Sequence, residues 1–434
     1  MKIISWLNCS PLEQENLLAR QNMMMLDDVT TTVRNIIHDV RNSGDNALKR
    51  YTKRFDNVEL NHLDISEKEW DAIDSVDQTY QQAISVAYDN IYRVHTLDRP
   101  QAFGINRNGI QIDKMYRAID GVGLYIPGGT APLVSTVLML AIPAQIAGCK
   151  NVVMISPPQQ NGLINPAILY AARLCGIRSI YRVGGAQGIA ALAYGTESIP
   201  KVNKIFGPGN AYVMEAKRQV AQDVNGAALD MPAGPSEVMV IADAQASPSF
   251  VAADLLAQAE HDSDAKCILV TPDEGFARLV FEEIERQKNT LKRQKQIIPA
   301  IDAALILVAS DLYRCFDIAN RYAPEHLIVQ LDNPRQYLPL ILAAGSVFLG
   351  PWSAEAFGDY ASGSNHVLPT AGYATTYSGL GVGHFMTAIT VQEVTPSGFL
   401  ALASQVESLA EMETLDGHQR SVSIRREQLQ GGLS

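Results

Sequence analysis

The residues best equipped for chemistry in this chain are its histidines, five of which (His261, His326, His366, His384 and His418) follow residue 260. Gln258 and His261 stand three apart at the end of the stretch FVAADLLAQAEH, so one helical face can turn both toward a single point. Spacing alone does not make this a zinc site. A histidine at a helix C-terminus is commonly held by the helix dipole, and glutamine is an uncommon zinc ligand. In YAPEHLIV, Glu325 and His326 are neighbours at the mouth of an apolar run. Adjacent strand residues face opposite ways, so the two serve one site only where the backbone is irregular. Pro324 gives a reason for irregularity, because it disfavours helix at Ala323. An acid beside an imidazole can be a general acid/base pair, and equally a plain ion pair. Further on, AEAFGDYASGSNHVLPT places Asp359 and His366 in a long polar loop, a setting that carries function more often than a short one.

Two glycine-rich turns add a possible anion site. GPGN (207–210) follows the apolar run NKIF and opens the helical stretch NAYVMEAKRQV, so its amides can receive a phosphate. GGAQG (184–188) repeats the arrangement one strand earlier. Neither is GxGxxG, and GVGLYIPGG has the wrong spacing, so the usual dinucleotide fingerprint is absent and nucleotide binding stays open.

These residues need a framework, and the hydrophobic periodicity supplies one. Strands are predicted at 122–126, 151–155, 179–183 and 203–206, with helices around 132–147, 163–175 and 186–195 ending at glycines such as Gly148 and Gly176. A second series of strands is predicted at 238–243, 267–272, 304–309, 326–330 and 345–350. The alternation is that of two α/β modules in tandem, each with a parallel sheet. ALDMPAGPSE (228–237) breaks any regular element and reads as the crossing between them. Ligands are expected at the carboxyl ends of the strands. Residues 1–120 read as a polar helical scaffold. After residue 385, Phe399, Leu402, Val406 and Leu409 recur at helical spacing on a short tail helix, a stripe that needs a partner surface on its own chain or a second subunit.

Composition narrows the function. The 434 residues are 47% hydrophobic and 19% charged with a net charge of −11, which is globular and the wrong sign for holding nucleic acid or anionic lipid. A small neutral or cationic substrate fits better. The uncharged stretch 121–149 is interrupted by glycine and proline, so a strand, loop and buried helix are expected rather than a membrane span. The five cysteines are scattered without a CxxC pair, which points to neither a disulfide framework nor a cysteine zinc site and suits a reducing cytoplasm. The N-terminal apolar patch is too short for the core of a signal peptide.

Longer phrases are more specific than any of these. GLYIPGGTAPLVSTVLMLAIPA, GGAQGIAALAYGT, KIFGPGNAYV, DMPAGPSEV, DLLAQAEH, APEHL, GDYASGSNHVLPT and the tail around ETLDGH, in order from about residue 30 to the end, resemble the histidinol dehydrogenase family. Departures are small: Asp262-Ser263 stands where the family often has Gly-Pro, and Gly188 replaces a common Ala. The resemblance implies oxidation of L-histidinol to L-histidine, the last step of histidine biosynthesis, in two hydride transfers to NAD with one redox-inert zinc ion per subunit. It implies zinc ligands Gln258, His261, Asp359 and His418, an acid/base pair Glu325 and His326, and substrate contacts from Ser236, His366 and Glu413 together with His326 and the four ligands. Tyr125, Gln187 and Asn210 would lie along the NAD. It also implies a homodimer whose tails cross, so that Glu413 and His418 complete the partner's site. The domains expected are a helical segment (1–120) packing on the α/β core, a Rossmann-like module on the NAD side (121–236), a second one with zinc and acid/base residues (237–384), and an exchanging helical tail (385–434). From chemistry alone, a zinc hydrolase using Glu325 to activate water and a non-catalytic two-lobed receptor hinged at 228–237 remain alternatives.

Overall fold

The computed structural model describes residues 1–20, 27–128 and 132–431. In chain order its strands are β1 (Lys2–Ser5), β2 (Phe103–Arg107), β3 (Ile110–Ala118), β4 (Gly121–Tyr125), β5 (Asn151–Ser156), β6 (Ser179–Arg182), β7 (Lys204–Phe206), β8 (Ala228–Leu229), β9 (Glu237–Ala242), β10 (Lys266–Thr271), β11 (Leu305–Val308), β12 (His326–Gln330), β13 (Ser346–Leu349) and β14 (Met386–Val394). They fall into two compact units. The first comprises Met1–Asp98 and Ile119–Phe385, the second Arg99–Ala118 and Met386–Ser434.

The first unit holds both expected modules. One is a five-stranded parallel sheet in the order β6-β5-β4-β7-β8. With β4 as its first strand the order runs third, second, first, fourth, fifth, which is an incomplete dinucleotide-binding sheet with its reversal between β4 and β7. The other is a six-stranded parallel sheet, β1-β11-β10-β9-β12-β13, repeating the same order around β9 with β1 added at an edge. β4 is buried along its whole length, as is β9. The uncharged stretch forms β4 and the helix Val134–Ala147, which is buried on nearly every side and capped by Gly148 at φ 88°. Among the described residues no helix is long and apolar enough to cross a membrane.

Several expectations need correction. Residues 1–120 are not wholly helical: β1 joins the edge of the second module's sheet, pairing with β11, and β2 and β3 form a hairpin that belongs to the other unit with β14. The helix Asp27–Phe55 does serve as scaffold, burying Val33, Ile36 and Val40 in one cluster with Ile189 and Ala190 of the first module. The 228–237 segment contains β8 and the first residue of β9, leaving only 230–236 irregular. The polar loop after β13 opens with a helix, Glu355–Tyr360.

The second unit is the antiparallel sheet β14-β3-β2 with two helices, Pro396–Met412 and Asp416–Gly431, so the tail is longer and more structured than one short helix. The first of these helices buries Ala403, Glu407 and Ala410, whereas Leu402, Val406 and Leu409 of the expected stripe are exposed.

Candidate active site

The site is built around the start of β12. Helix Leu312–Tyr322 stops at Ala323, which takes the left-handed conformation (φ 49°), and Pro324 follows as the chain turns into the strand. This irregular entry lets neighbouring Glu325 and His326 share one site. Both are buried, with His326 Nδ1 3.7 Å from Glu325 Oε2. The backbone of Glu237, the first residue of β9, holds both: its N–H donates to Glu325 Oε2 at 2.8 Å, and its carbonyl accepts from His326 Nδ1 at 3.2 Å. A carbonyl can only accept, so Nδ1 carries a proton and Nε2 is the ring nitrogen left for the site. Nε2 is buried without a hydrogen-bond partner and lies 3.6 Å from Asp359 Oδ1.

The pair thus stands at the amino edge of the second sheet, not at the carboxyl ends of its strands. Gln258 and His261 reach the same edge because helix Pro248–Ala259 runs antiparallel to the strands it joins. Gln258 lies in the last turn and His261 just beyond it, its N–H donating to the Gln258 carbonyl at 3.2 Å. The negative end of that helix dipole favours a cation there. His261 Nε2 is 4.0 Å from Asp359 Oδ2. His366 donates from Nδ1 to the Asp359 carbonyl at 2.8 Å and meets Thr136 Oγ1 of the first module through Nε2 at 3.2 Å.

One residue that sequence reasoning passed over belongs here. Glu355, four residues before Asp359 on one face of a short helix, is buried with Oε1 3.5 Å from His326 Nδ1. Its i, i+4 spacing from Asp359 was the available signal. Ligand atoms of His261, Glu355 and Asp359 lie within 4.8 Å of one another. Burial drives the Glu325 and Glu355 carboxyls up, each to about 8. For His326 burial works downward, but the carboxylates of Glu355, Glu325 and Asp359 outweigh it and lift the imidazole to about 10. The cluster is short of positive charge. Gln258 adds a second sign of a missing group, since its fully buried amide has a partner for neither oxygen nor nitrogen. Such an amide is costly unless something binds it; the imidazole and carboxylate beside it suit zinc, to which the amide oxygen would be a less common ligand.

The first module presents its reversal point. Tyr125 ends β4 with its buried hydroxyl accepting from the Gly185 N–H at 3.4 Å, and burial pushes the phenol up to about 12. Gly207 follows β7 at φ 123°, so close to the Tyr125 carbonyl that no Cβ would fit between them. Asn210 caps the next helix, its Oδ1 accepting from the N–H groups of Tyr212 and Val213 at 3.1 Å. Gln187, also buried, has an unpartnered Oε1. Beneath the loop, the buried Lys217 donates to Asp230 and, at 2.8 Å, to the Gly207 carbonyl, while Asp230 Oδ2 accepts from the Gly207 N–H at 2.8 Å. Ser236 immediately precedes β9, its carbonyl accepting from the Lys266 N–H at 2.9 Å. Glu413 and His418 lie in the second unit, at the end of one helix and in the first turn of the next, and both are exposed.

The incomplete dinucleotide-binding sheet order, with a buried cluster of carboxylates and histidine at the edge of the second sheet, is the setting of an α/β enzyme of the dehydrogenase class. Comparison with known proteins carries this to a family. Residues 19–426 match the family described as histidinol dehydrogenase, and the chain belongs to it. It is 51% identical to the histidinol dehydrogenase of Shigella sonnei, over 98% of this chain and 97% of that one. It is 50% identical to a histidine biosynthesis bifunctional protein of Photorhabdus laumondii, where it spans only 52% of the longer chain. The crystal structure of histidinol dehydrogenase from Elizabethkingia anophelis matches with a TM-score of 0.94 and 45% identity over 99% of each chain.

Proposed function

We propose that this protein oxidises L-histidinol to L-histidine, closing histidine biosynthesis, in two hydride transfers to NAD with the aldehyde kept in the site between them. The observation that carries this reading is the Glu325–His326 pair, buried together and oriented by the Glu237 backbone at the sheet edge where the helix of the unpartnered Gln258 also ends. Gln258, His261 and Asp359, with His418, would hold a zinc ion. Zinc would supply positive charge there, to orient an imidazole- and amine-bearing substrate and to offset the carboxylate field around His326. Tyr125, Gln187 and Asn210 would hold NAD, which would supply the hydride acceptor.

The remaining work falls to the chain's own residues. In its neutral form His326 takes the hydroxyl proton on Nε2, the ring nitrogen that the Glu237 carbonyl leaves unengaged, as the alcohol becomes an aldehyde. Glu325, its carboxyl near 8, takes a proton from water as the aldehyde becomes a hydrate. His326, having passed its first proton to solvent, then takes a hydroxyl proton of the hydrate as the second hydride leaves. Overall an alcohol, one water and two NAD give a carboxylate, two NADH and three protons. Ser236, His366 and Glu413 would orient the substrate. The working form is a cytoplasmic homodimer in which the second unit of each chain brings Glu413 and His418 to its partner's site. The test is stoichiometry: two NADH are expected per histidinol consumed. A plateau at one with free aldehyde accumulating would overturn the two-step reading, and hydrolysis without NADH would place the protein among zinc hydrolases.

A further inference from the structure

Glu237 is tied to a residue far from it in sequence. Its side chain, 2% exposed, receives a two-pronged contact from Arg20, whose Nε lies 2.5 Å from Oε1 and whose terminal nitrogen lies 2.9 Å from Oε2. The same terminal nitrogen donates to the Tyr322 carbonyl at 2.6 Å, and the guanidinium stacks 3.8 Å above the Tyr322 ring. Arg20 therefore bridges the two backbone segments that fix the acid/base pair. One is the start of β9, where the Glu237 N–H and carbonyl hold Glu325 and His326. The other is the Tyr322–Ala323 turn, left-handed at Ala323, that delivers them.

We propose that Arg20 is a positioning residue for catalysis, fixing the distance between the β9 start and the Tyr322–Ala323 turn so that Glu325 and His326 meet the substrate in register. The inference rests on the reading of those two residues as the acid/base pair. A planar guanidinium reaches a carboxylate, a carbonyl and a ring face at once, whereas a compact ammonium cannot bridge all three. Displacement of reacting groups by about 1 Å can cost on the order of 10²-fold in rate, so a clamp outside the site can govern turnover without touching substrate.

The experiment uses full-length, zinc-loaded protein. Arg20→Ala should lower kcat for histidinol on the order of 10- to 100-fold, with KM and zinc content within about twofold of wild type. Millimolar ethylguanidinium should restore part of the lost kcat by refilling the clamp. Should Arg20→Ala fail to fold, Arg20→Lys keeps a cation against Glu237 and is expected to fold and still lose kcat. Wild-type kcat in either variant overturns the proposal. So does a loss of kcat that follows a lowered melting temperature and is not rescued, which would make Arg20 merely stabilising. Glu325→Gln and His326→Ala are assayed in parallel. If they turn over at the wild-type rate, the acid/base reading itself fails and the proposal falls with it; if they collapse while Arg20→Ala does not, only the positioning role is lost.

Discussion

Burial at Glu325 raises its carboxyl at a cost to the fold. A carboxyl with an ordinary value of 4.5 is pushed up to about 8, close to where a base must sit to deprotonate water near neutral pH. Glu325→Gln keeps the shape and removes that base while leaving His326 in place. Oxidation of supplied histidinal should therefore fall on the order of 10²-fold, more than the first oxidation of histidinol; the reverse order would exchange the two roles. The same variant reads the pKa through stability. The folded metal-free protein keeps the proton to about 8 and the unfolded chain loses it near 4.5, so this group's contribution is full at low pH and is lost as pH rises through 8. The amide of the variant never ionises. The melting temperature of Glu325→Gln minus that of wild type should therefore climb between those two values and level above them. A flat difference in a pH-resolved melting series would mean that Glu325 ionises as an ordinary carboxyl.

Elements decide where such residues arrive, and the buried Lys217–Asp230 pair shows how one is pinned. It holds the peptide groups on both sides of Gly207, so the loop expected to pass along NAD is fixed from below. Lys217→Met leaves a buried carboxylate uncompensated, and urea unfolding should show a loss of about 3–5 kcal/mol. Lys217→Met/Asp230→Leu should recover much of that loss while KM for NAD stays raised, because Gly207 has lost its anchor. Equal stability of wild type and single variant would remove the pair from that role. The strands β4 to β7 and β9 to β13 were legible as apolar runs because both faces of a parallel sheet are covered, and their ends shifted by only a residue or so. The β2–β3 hairpin was missed although Asn108–Gly109 at its turn, both at positive φ, is a strong hairpin signal; charged residues along IQIDKMYRA hid the alternation. Glu325, His326, Gln258, His261 and Asp359 were legible through phrases rather than periodicity. Arg20 and Glu237 were not, because a contact across 217 residues leaves no local pattern.

At the scale of the whole molecule, the second unit presents Leu402, Val406, Leu409 and Met412 to solvent on one helix while packing Ala403 and Ala410 inward. Larger apolar side chains outside and smaller ones inside suit a surface that another chain covers. In a twofold dimer with exchanged tails, each site combines one chain's Glu325 and His326 with the other's Glu413 and His418. His326→Ala then spoils the body of a site and His418→Ala spoils the tail, so each homodimer should be nearly inactive. When the two variants are denatured and refolded together, random pairing makes about half the dimers mixed. One site of a mixed dimer collects both lesions and the other collects none. Activity should therefore return to about a quarter of wild type, read as NADH formed per total subunit, with differently tagged chains confirming that mixed dimers exist. Mixed dimers without recovered activity would mean that each tail serves its own chain, and Glu413 and His418 would then leave the partner's site.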